Sequence, residues 1–340
     1  MPTLRQKGNR YYVDYRLDGK RIRKNVSTSK KIAELYLKDL ELKIAKGESD
    51  FFKKDEVLEK LFTDYLKYSK TNHSPSTQKR YRAIIDNFNR FISSYPYITK
   101  ISQLNPKLLE DYKAFRVEEE ASNKTINMEL KTIRAILALA KTWGYTKDNP
   151  TDGVRFMKIT NHIAPRFFTE AECKKLLTTC NEWEYPIFYT LLNTGMRKSE
   201  LLNLEWDDID FNRKKIKLRV KDDWSPKTSE RQIPINESLV GVLKELETKK
   251  KGRYVFHDKG QQIENNRLRK RLMSLTKRCG FPDATKLHTL RHTFASHLVM
   301  KGVDLPTVKK LMGHSDIQTT MIYSHLADEH VDRAVEKLEF

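Results

Sequence analysis

Between residues 55 and 143 the apolar side chains recur every three or four positions, a spacing that suits helices and not strands. Val57, Leu58, Leu61, Phe62, Tyr65 and Leu66 form one stripe. Ser76 opens a second helix, with Ile84, Ile85, Phe88, Phe91 and Ile92 facing inward. Leu108, Leu109, Tyr112 and Phe115 mark a third. A fourth runs from about Lys124 to Trp143, with Ile126, Leu130, Ile133, Leu137 and Ala138 inside and Gly144 as its stop. Four such stripes predict a helical domain over residues 55–145. In a chain of 340 residues this leaves room for one or two more domains. Turn-forming residues on the far side, Asn149-Pro150, Asp152-Gly153 and Pro165, place a boundary between 144 and 168. On the near side, residues 48–54 read as a linker.

The segment before that linker is the most basic in the chain. Residues 1–31 hold ten Lys and Arg against Asp14 and Asp18 alone. Tyr12–Leu17 alternates in part, with Val13, Tyr15 and Leu17 on one face. Asp18-Gly19 is strong hairpin chemistry, and Arg21-Ile22-Arg23 continues as the return strand. Thr28 or Ser29 can cap a following helix in which Ala33, Leu37, Leu40 and Ile44 share a face, stopped by Gly47. Residues 1–50 are thus a small sheet plus helix with a basic outer face. Arg10, Arg16, Lys20, Arg21, Arg23 and Lys24, interleaved with aromatics, suit nucleic acid better than a merely solubilising surface. In the helical domain Lys79, Arg80 and Arg82 form a weaker basic edge, which taken alone reads as a solvated face.

Charge narrows the partners. The chain has 65 Lys and Arg against 45 Asp and Glu, a formal charge of +20, which favours a polyanion. No stretch nears ~18 uninterrupted apolar residues, so no membrane span is expected. The first residues lack the apolar run of a signal peptide, so a cytoplasmic protein is the expectation. Three widely spaced cysteines, Cys173, Cys180 and Cys279, fit neither a disulfide framework nor a metal knuckle.

The last domain, residues 165–340, begins with a capping box, Thr169–Glu172, and is mainly helical. One hairpin interrupts it, Lys215–Val220 returning as Arg231–Ile235. Its chemistry lies in four places. In Thr194-Gly195-Met196-Arg197 a turn delivers Arg197 to a helix start, and Glu200 sits within reach of that guanidinium. Lys227 lies in the hairpin turn, which also offers Lys221. His288 and Arg291 stand three apart and share a helical face. Gly313-His314 is followed nine residues on by Tyr323. Arginines are bidentate partners for phosphate oxygens and stabilise phosphorane charge. A tyrosine oxygen can attack, then leave, so that bond energy is kept in a phosphotyrosine link. Lys or His can move the protons. Each element alone is more often a surface or packing residue; their order and spacing together point to phosphodiester chemistry.

That ordered set, Arg197, Lys227, His288-x-x-Arg291, Gly313-His314 and Tyr323, resembles the active site of the tyrosine recombinases, or phage integrases. The words around it match as well: Thr194-Gly195-Met196-Arg197, His288 to Ser296, and Leu311-Met312-Gly313-His314-Ser315. The resemblance covers the whole chain. It implies a mainly α protein with small β-sheets: an arm-site-binding sheet domain, a helical core-binding (SAM-like) domain and a mixed α/β DNA breaking-rejoining catalytic domain. It implies a site-specific recombinase that works through a 3′-phosphotyrosyl intermediate and a Holliday junction, without metal, ATP or other cofactor. Tyr323 would attack, Arg197, Arg291 and His314 hold the phosphate, Lys227 protonate the leaving 5′-oxygen, His288 assist proton transfer at the tyrosine, and Glu200 orient the arginines. Implied partners are double-stranded DNA, a homotetramer on two duplexes, and DNA-bending accessory proteins. Lys227 is preferred to Lys221 because Lys227–Pro234 reads like the family's lysine-to-strand phrase. Ala327–Leu338 has a helical pattern that could pack in cis or on a neighbouring protomer.

Three rivals stand beside this reading. His288 and His292, four apart, have a metal-ligand spacing, but no Glu lies between them and two arginines would repel a divalent cation. A type IB topoisomerase shares the chemistry but not the arm-like domain. A DNA-binding module that no longer cuts would not need all six positions filled.

Overall fold

The computed structural model describes residues 2–17, 20–45, 55–159 and 164–327, apart from the side chains of Arg16, Leu17, Lys20 and Lys43. The expected Asp18-Gly19 turn, the stop at Gly47, the linker at 48–54 and all but the first residue of the C-terminal helix lie outside them. The chain divides into two units, Met1–Asn161 and His162–Phe340.

The first unit opens with a three-stranded antiparallel sheet of β1 (Thr3–Lys7), β2 (Arg10–Leu17) and β3 (Lys20–Ser27), followed by helix α1 (Lys30–Ala45). The alternation in β2 works as expected: Val13 and Tyr15 are buried against Leu40 of α1. Ile44 does not join them; it is exposed, so the sheet-facing stripe ends at Leu40. Strand β1 has no sequence signal, because Leu4 is its one apolar residue. On the opposite face the register sets Arg23 directly across from Asp14. Arg23 binds that carboxylate through Nε (2.7 Å), Arg21 through Nη2 (2.6 Å), and Arg5 approaches to 3.3 Å. Hydrogen bonds from Arg23 and Arg21 hold the Asp14 carboxyl well below the usual carboxylate range.

Four helices follow: α2 (Leu58–Asn72), α3 (Pro75–Ile92), α4 (Pro106–Glu118) and α5 (Asn123–Thr142). Pro75 at the first helical position, Asn105 capping Leu108 N–H and Ser122 capping Thr125 N–H explain three of the starts. The apolar stripes meet in one core around Leu61, Phe88, Leu109 and Ile126. Two residues expected inside are exposed. Val57 precedes α2 and bridges to Lys100, and Ala138 sits one position off the stripe, which runs through Ile136, Leu137 and Ala140. At the centre Glu129 is buried with its charge met by Arg116 (2.9 and 3.0 Å), Tyr112 (2.9 Å) and Asn87 (3.1 Å).

The second unit holds α6 (Glu170–Thr179), α7 (Glu184–Thr194) and α8 (Lys198–Leu202), then a sheet of β4 (Ile209–Asp210), β5 (Lys215–Leu218) and β6 (Arg231–Pro234). Helix α9 (Glu237–Thr248), a short hairpin of β7 (His257–Asp258) and β8 (Gln261–Gln262), and α10 (Arg267–Arg278) come next. It closes with α11 (His288–Met300), α12 (Leu305–Met312) and α13 (Gln318–Met321). The capping box forms at Thr169 and Glu172, and the expected hairpin pairs β5 with β6 in register Ile216↔Ile233. The main core gathers the apolar faces of α7, α9 and α10 with the sheet; a second, smaller cluster joins α11 and α12 to Tyr323.

Candidate active site

Two helix ends build the arginine side of the site. Helix α7 stops at Gly195 and α12 at Gly313, both left-handed, with φ of 59° and 64°. Glycine is needed twice over at each. A Cβ on Gly195 would lie 2.2 Å from the Phe294 ring, and one on Gly313 would lie 2.8 Å from Arg231. The carbonyls freed at these ends carry the partial negative charge of a helix C-terminus. Arg291 donates Nη1 to Gly195 O (2.6 Å) and Nη2 to Met312 O (2.5 Å); Arg197 donates Nη2 to Gly313 O (2.9 Å). Each bond spans a long stretch of chain, so the site forms only when α7, α11 and α12 pack.

Glu200 is 1% exposed and does part of what the sequence suggested. It accepts from Arg197 Nη1 (2.9 Å) and from the Arg197 backbone N–H (2.7 Å). Its other partner is Arg231 on β6, bound in a two-pronged pair at 2.8 and 2.8 Å. Arg291 is held by carbonyls instead. Arg231 carries no signal in the sequence, since a single arginine opening a strand has no periodicity to mark it. Burial opposes the Glu200 charge, yet Arg231 and Arg197 together hold the pKa below its usual value.

Arg197, Lys227, His288, Arg291, His314 and Tyr323 all line one cavity of about 260 Å³. Lys221 does not. Its Nζ donates to Asn203 O (2.5 Å) and Asp208 (2.6 Å) and lies 3.3 Å from Glu205. Lys227 is exposed at the rim, where the neighbouring Thr228 hydroxyl reaches Gly313 O (3.3 Å).

The electrostatics are those of an anion site. Burial, then the neighbouring Arg197 guanidinium, lower the Arg291 pKa to about 9. Burial and the two arginines pull His314 down to about 4, and its Nδ1 pairs with Thr320 Oγ1 at 2.9 Å. His288 is lowered for the same reasons. Tyr323 is 1% exposed, and burial pushes its hydroxyl up to about 12. At neutral pH the nucleophile candidate is therefore a neutral phenol beside cations. Its hydroxyl meets His292 Nδ1 at 2.6 Å, whereas His288 lies one turn back along α11, 6.0 Å ring to ring from His292. Sequence reasoning weighed His292 only as a metal ligand; its neighbour in space is the tyrosine.

The proposed DNA contacts elsewhere are spread over the first unit. Arg10, Lys24, Lys79, Arg80 and Arg82 are exposed, Lys24 over the Tyr36 ring and Arg80 over Tyr81. Arg21 and Arg23 are engaged with Asp14, and the side chains of Arg16 and Lys20 lie outside the described residues.

Residues 166–330 match the phage integrase family and residues 57–160 its SAM-like domain. The integrase of Haemophilus phage HP1 is 32% identical over 247 residues, 69% of this chain and 68% of that protein. The chain belongs to the phage integrase family of tyrosine recombinases. Like its relatives in that family it is a site-specific recombinase, an enzyme that cleaves and rejoins DNA. Tyrosine recombinase XerC of Thermodesulfovibrio yellowstonii is 28% identical over 294 residues, 81% of this chain and 94% of that one. Among solved structures, the Tn1549 transposon integrase bound to transposon right end DNA superposes with a TM-score of 0.68 at 21% identity, over 82% of this chain and 100% of that one. The lambda integrase tetramer on a Holliday junction gives 0.66 at 16% identity, over 97% and 94%. At those identities the likeness is one of fold. Within the integrase fold, no described helix is long and apolar enough to cross a membrane.

Proposed function

We propose that Tyr323 attacks a DNA phosphodiester held in the cation-lined cavity, forming a 3′-phosphotyrosyl link and releasing a 5′-hydroxyl. Arg197 and Arg291 grip the non-bridging oxygens with His314 as a further donor; His288, expected to assist proton transfer at the tyrosine, donates there too, since the hydroxyl meets His292 instead. Lys227, exposed at the rim, protonates the leaving 5′-oxygen. Glu200 and Arg231 hold Arg197 in place without touching DNA. The bond energy stays in the phosphotyrosine, so the reaction runs without ATP or metal and reverses by attack of a 5′-hydroxyl. Four protomers on two duplexes exchange strands through a Holliday junction, helped by DNA-bending proteins. The sheet of residues 1–50 binds separate arm sites through Arg10, Arg16, Lys20, Arg21, Arg23 and Lys24. Lys79, Arg80 and Arg82 on α3 touch core-site phosphates, which suits a cytoplasmic integrase of a mobile element.

One observation carries the reading. Arg291 is 3% exposed, and its hydrogen bonds go to two backbone carbonyls instead of a carboxylate. A buried guanidinium beside Arg197 in a cavity that also holds a tyrosine hydroxyl is a site prepared for an anion. The test is a nicked suicide duplex carrying the attachment region, incubated with wild type and Tyr323→Phe in EDTA. A covalent protein–DNA band on a denaturing gel is expected from wild type alone. A band from Tyr323→Phe would refute the assignment of the nucleophile.

A further inference from the structure

We propose that His292 is a catalytic residue: its Nδ1 takes the proton of the Tyr323 hydroxyl as the phenolic oxygen attacks phosphorus. The inference rests on the reading of the site given above and adds a residue to it.

The geometry is direct. Nδ1 and the hydroxyl are 2.6 Å apart, with the ring centroids at 5.9 Å. With the phenol as donor and Nδ1 as acceptor, the ring proton sits on Nε2. The titratable groups facing the ring are His288 and Arg291 on its own helix, Tyr323 across from it, and His314 just past α12. Burial, then His288 and Arg291, lower the His292 pKa to about 4, so the acceptor is free at neutral pH. Tyr323, at about 12, holds its proton until attack begins. Both groups border the cavity that holds Arg197 and Arg291, so the hydroxyl and its acceptor face the same space as the arginines.

The step balances. As the bond from Tyr323 Oη to phosphorus forms, the hydroxyl proton passes to His292 Nδ1. As the bond from phosphorus to the 5′-oxygen breaks, that oxygen takes a proton from Lys227. In rejoining, the attacking 5′-hydroxyl returns its proton to Lys227, and the departing phenolate recovers its own from His292. No oxidant, metal or co-reactant enters.

The test is single-turnover cleavage of the suicide duplex between about pH 6 and 9. Wild type is expected to show a nearly flat rate, because the acceptor is neutral throughout. His292→Gln keeps a hydrogen-bond acceptor for the hydroxyl but cannot take the proton. Its rate is expected to fall roughly 10²–10⁴-fold at pH 7. It should then climb about tenfold per pH unit, as the fraction of free tyrosinate does well below its pKa. A duplex with sulfur in place of the bridging 5′-oxygen needs no acid for departure, so it should rescue Lys227→Ala and leave His292→Gln slow. A slow His292→Gln with a flat profile, or one rescued by the sulfur substrate, would overturn the proposal, as would an unchanged rate. If His292→Gln fails to fold, ¹⁵N spectra of histidine-labelled wild type still decide. A neutral His292 protonated at Nε2 supports the inference, and a charged ring or the Nδ1–H tautomer overturns it. Wild type that forms no covalent complex would instead sink the underlying reading of the site.

Discussion

Asp14 and Glu200 each gather arginines, yet the two clusters hold them in opposite settings. Around Asp14 the arginines lie on the open face of a sheet, with the side chains of Arg5, Arg21 and Arg23 61%, 56% and 49% exposed. Around Glu200 the side chains of Arg197 and Arg231 are 14% and 8% exposed. An exposed guanidinium trades a carboxylate for water or phosphate at little cost, so its geometry is loose. A buried one has no such exchange, and its geometry is fixed by what surrounds it. Fixed geometry is what transition-state stabilisation needs; exchangeable charge is what backbone binding needs.

The largest effect that distinguishes the clusters is expected from Glu200→Gln. The shape survives but Arg231 and Arg197 lose their counter-charge in a buried setting. Breaking such a pair costs roughly 3–5 kcal/mol, read as a shifted denaturant midpoint. Covalent-complex formation should fall in parallel, because Arg197 is no longer aimed. A Glu200→Gln protein as stable and active as wild type would erase the contrast.

The two lysines offered by the hairpin turn sharpen the same point. Lys221 is tied to the buried carboxylate Asp208, which Arg219 also binds at 2.8 Å. Lys221→Ala should destabilise by about 1–3 kcal/mol, as loss of a charged hydrogen-bond partner does, while the surviving protein still cleaves. Lys227→Ala, at an exposed position, should leave the denaturant midpoint unchanged and slow cleavage by at least tenfold. Reversed results would exchange the roles of the two residues.

Acid should also separate the regions. His292 and His314 have folded pKa values of about 4, below the ordinary 6.5. Between those limits the unfolded chain binds more protons, so stability falls as pH drops from about 6.5 toward 4 and is level above. Glu200, with its pKa lowered, adds a loss of the same sign below its ordinary 4.5. Thermal melts at pH 7 and pH 5 should show the loss, and His292→Gln should shrink it. A slope of opposite sign would mean that these rings are charged in the folded protein.

Much of this is legible in the sequence. The stripes of α2 to α5 follow from a 3.6-residue period that local sequence must obey. Arg197, His288, Arg291, His314 and Tyr323, which line one cavity, stand out because the order and spacing of several chemical types is a strong signal even when each is weak. Arg231, His292 and Asp14 were not assigned these roles. Their meaning lies in partners far along the chain, Glu200 for the first, Tyr323 for the second and the strands on either side for the third. Such pairings exist only once the elements pack. The roles of the two glycine carbonyls were invisible for the same reason, since a backbone oxygen has no letter in a sequence.

The smallest effect, and the one that most directly questions the comparison, is expected at Asp14. Asp14→Asn preserves the side-chain shape and removes one negative charge from the face that carries Arg5, Arg21 and Arg23. Water replaces the carboxylate for these half-exposed guanidiniums, but the carboxyl itself is buried, so the melting temperature should fall, by less than for Glu200→Gln. Binding to arm-site DNA is different. If the sheet binds arm-site phosphates as proposed, each must compete with Asp14 for the same guanidiniums, whose hold is strong enough to keep the carboxyl ionised well into acid. Without that competitor affinity should rise at low salt, and the salt dependence should steepen by about 0.9 for each phosphate newly engaged. A fall in affinity at unchanged slope would mean the reverse: Asp14 aims its arginines as Glu200 aims Arg197, and exposure alone does not decide which carboxylates position and which merely neutralise.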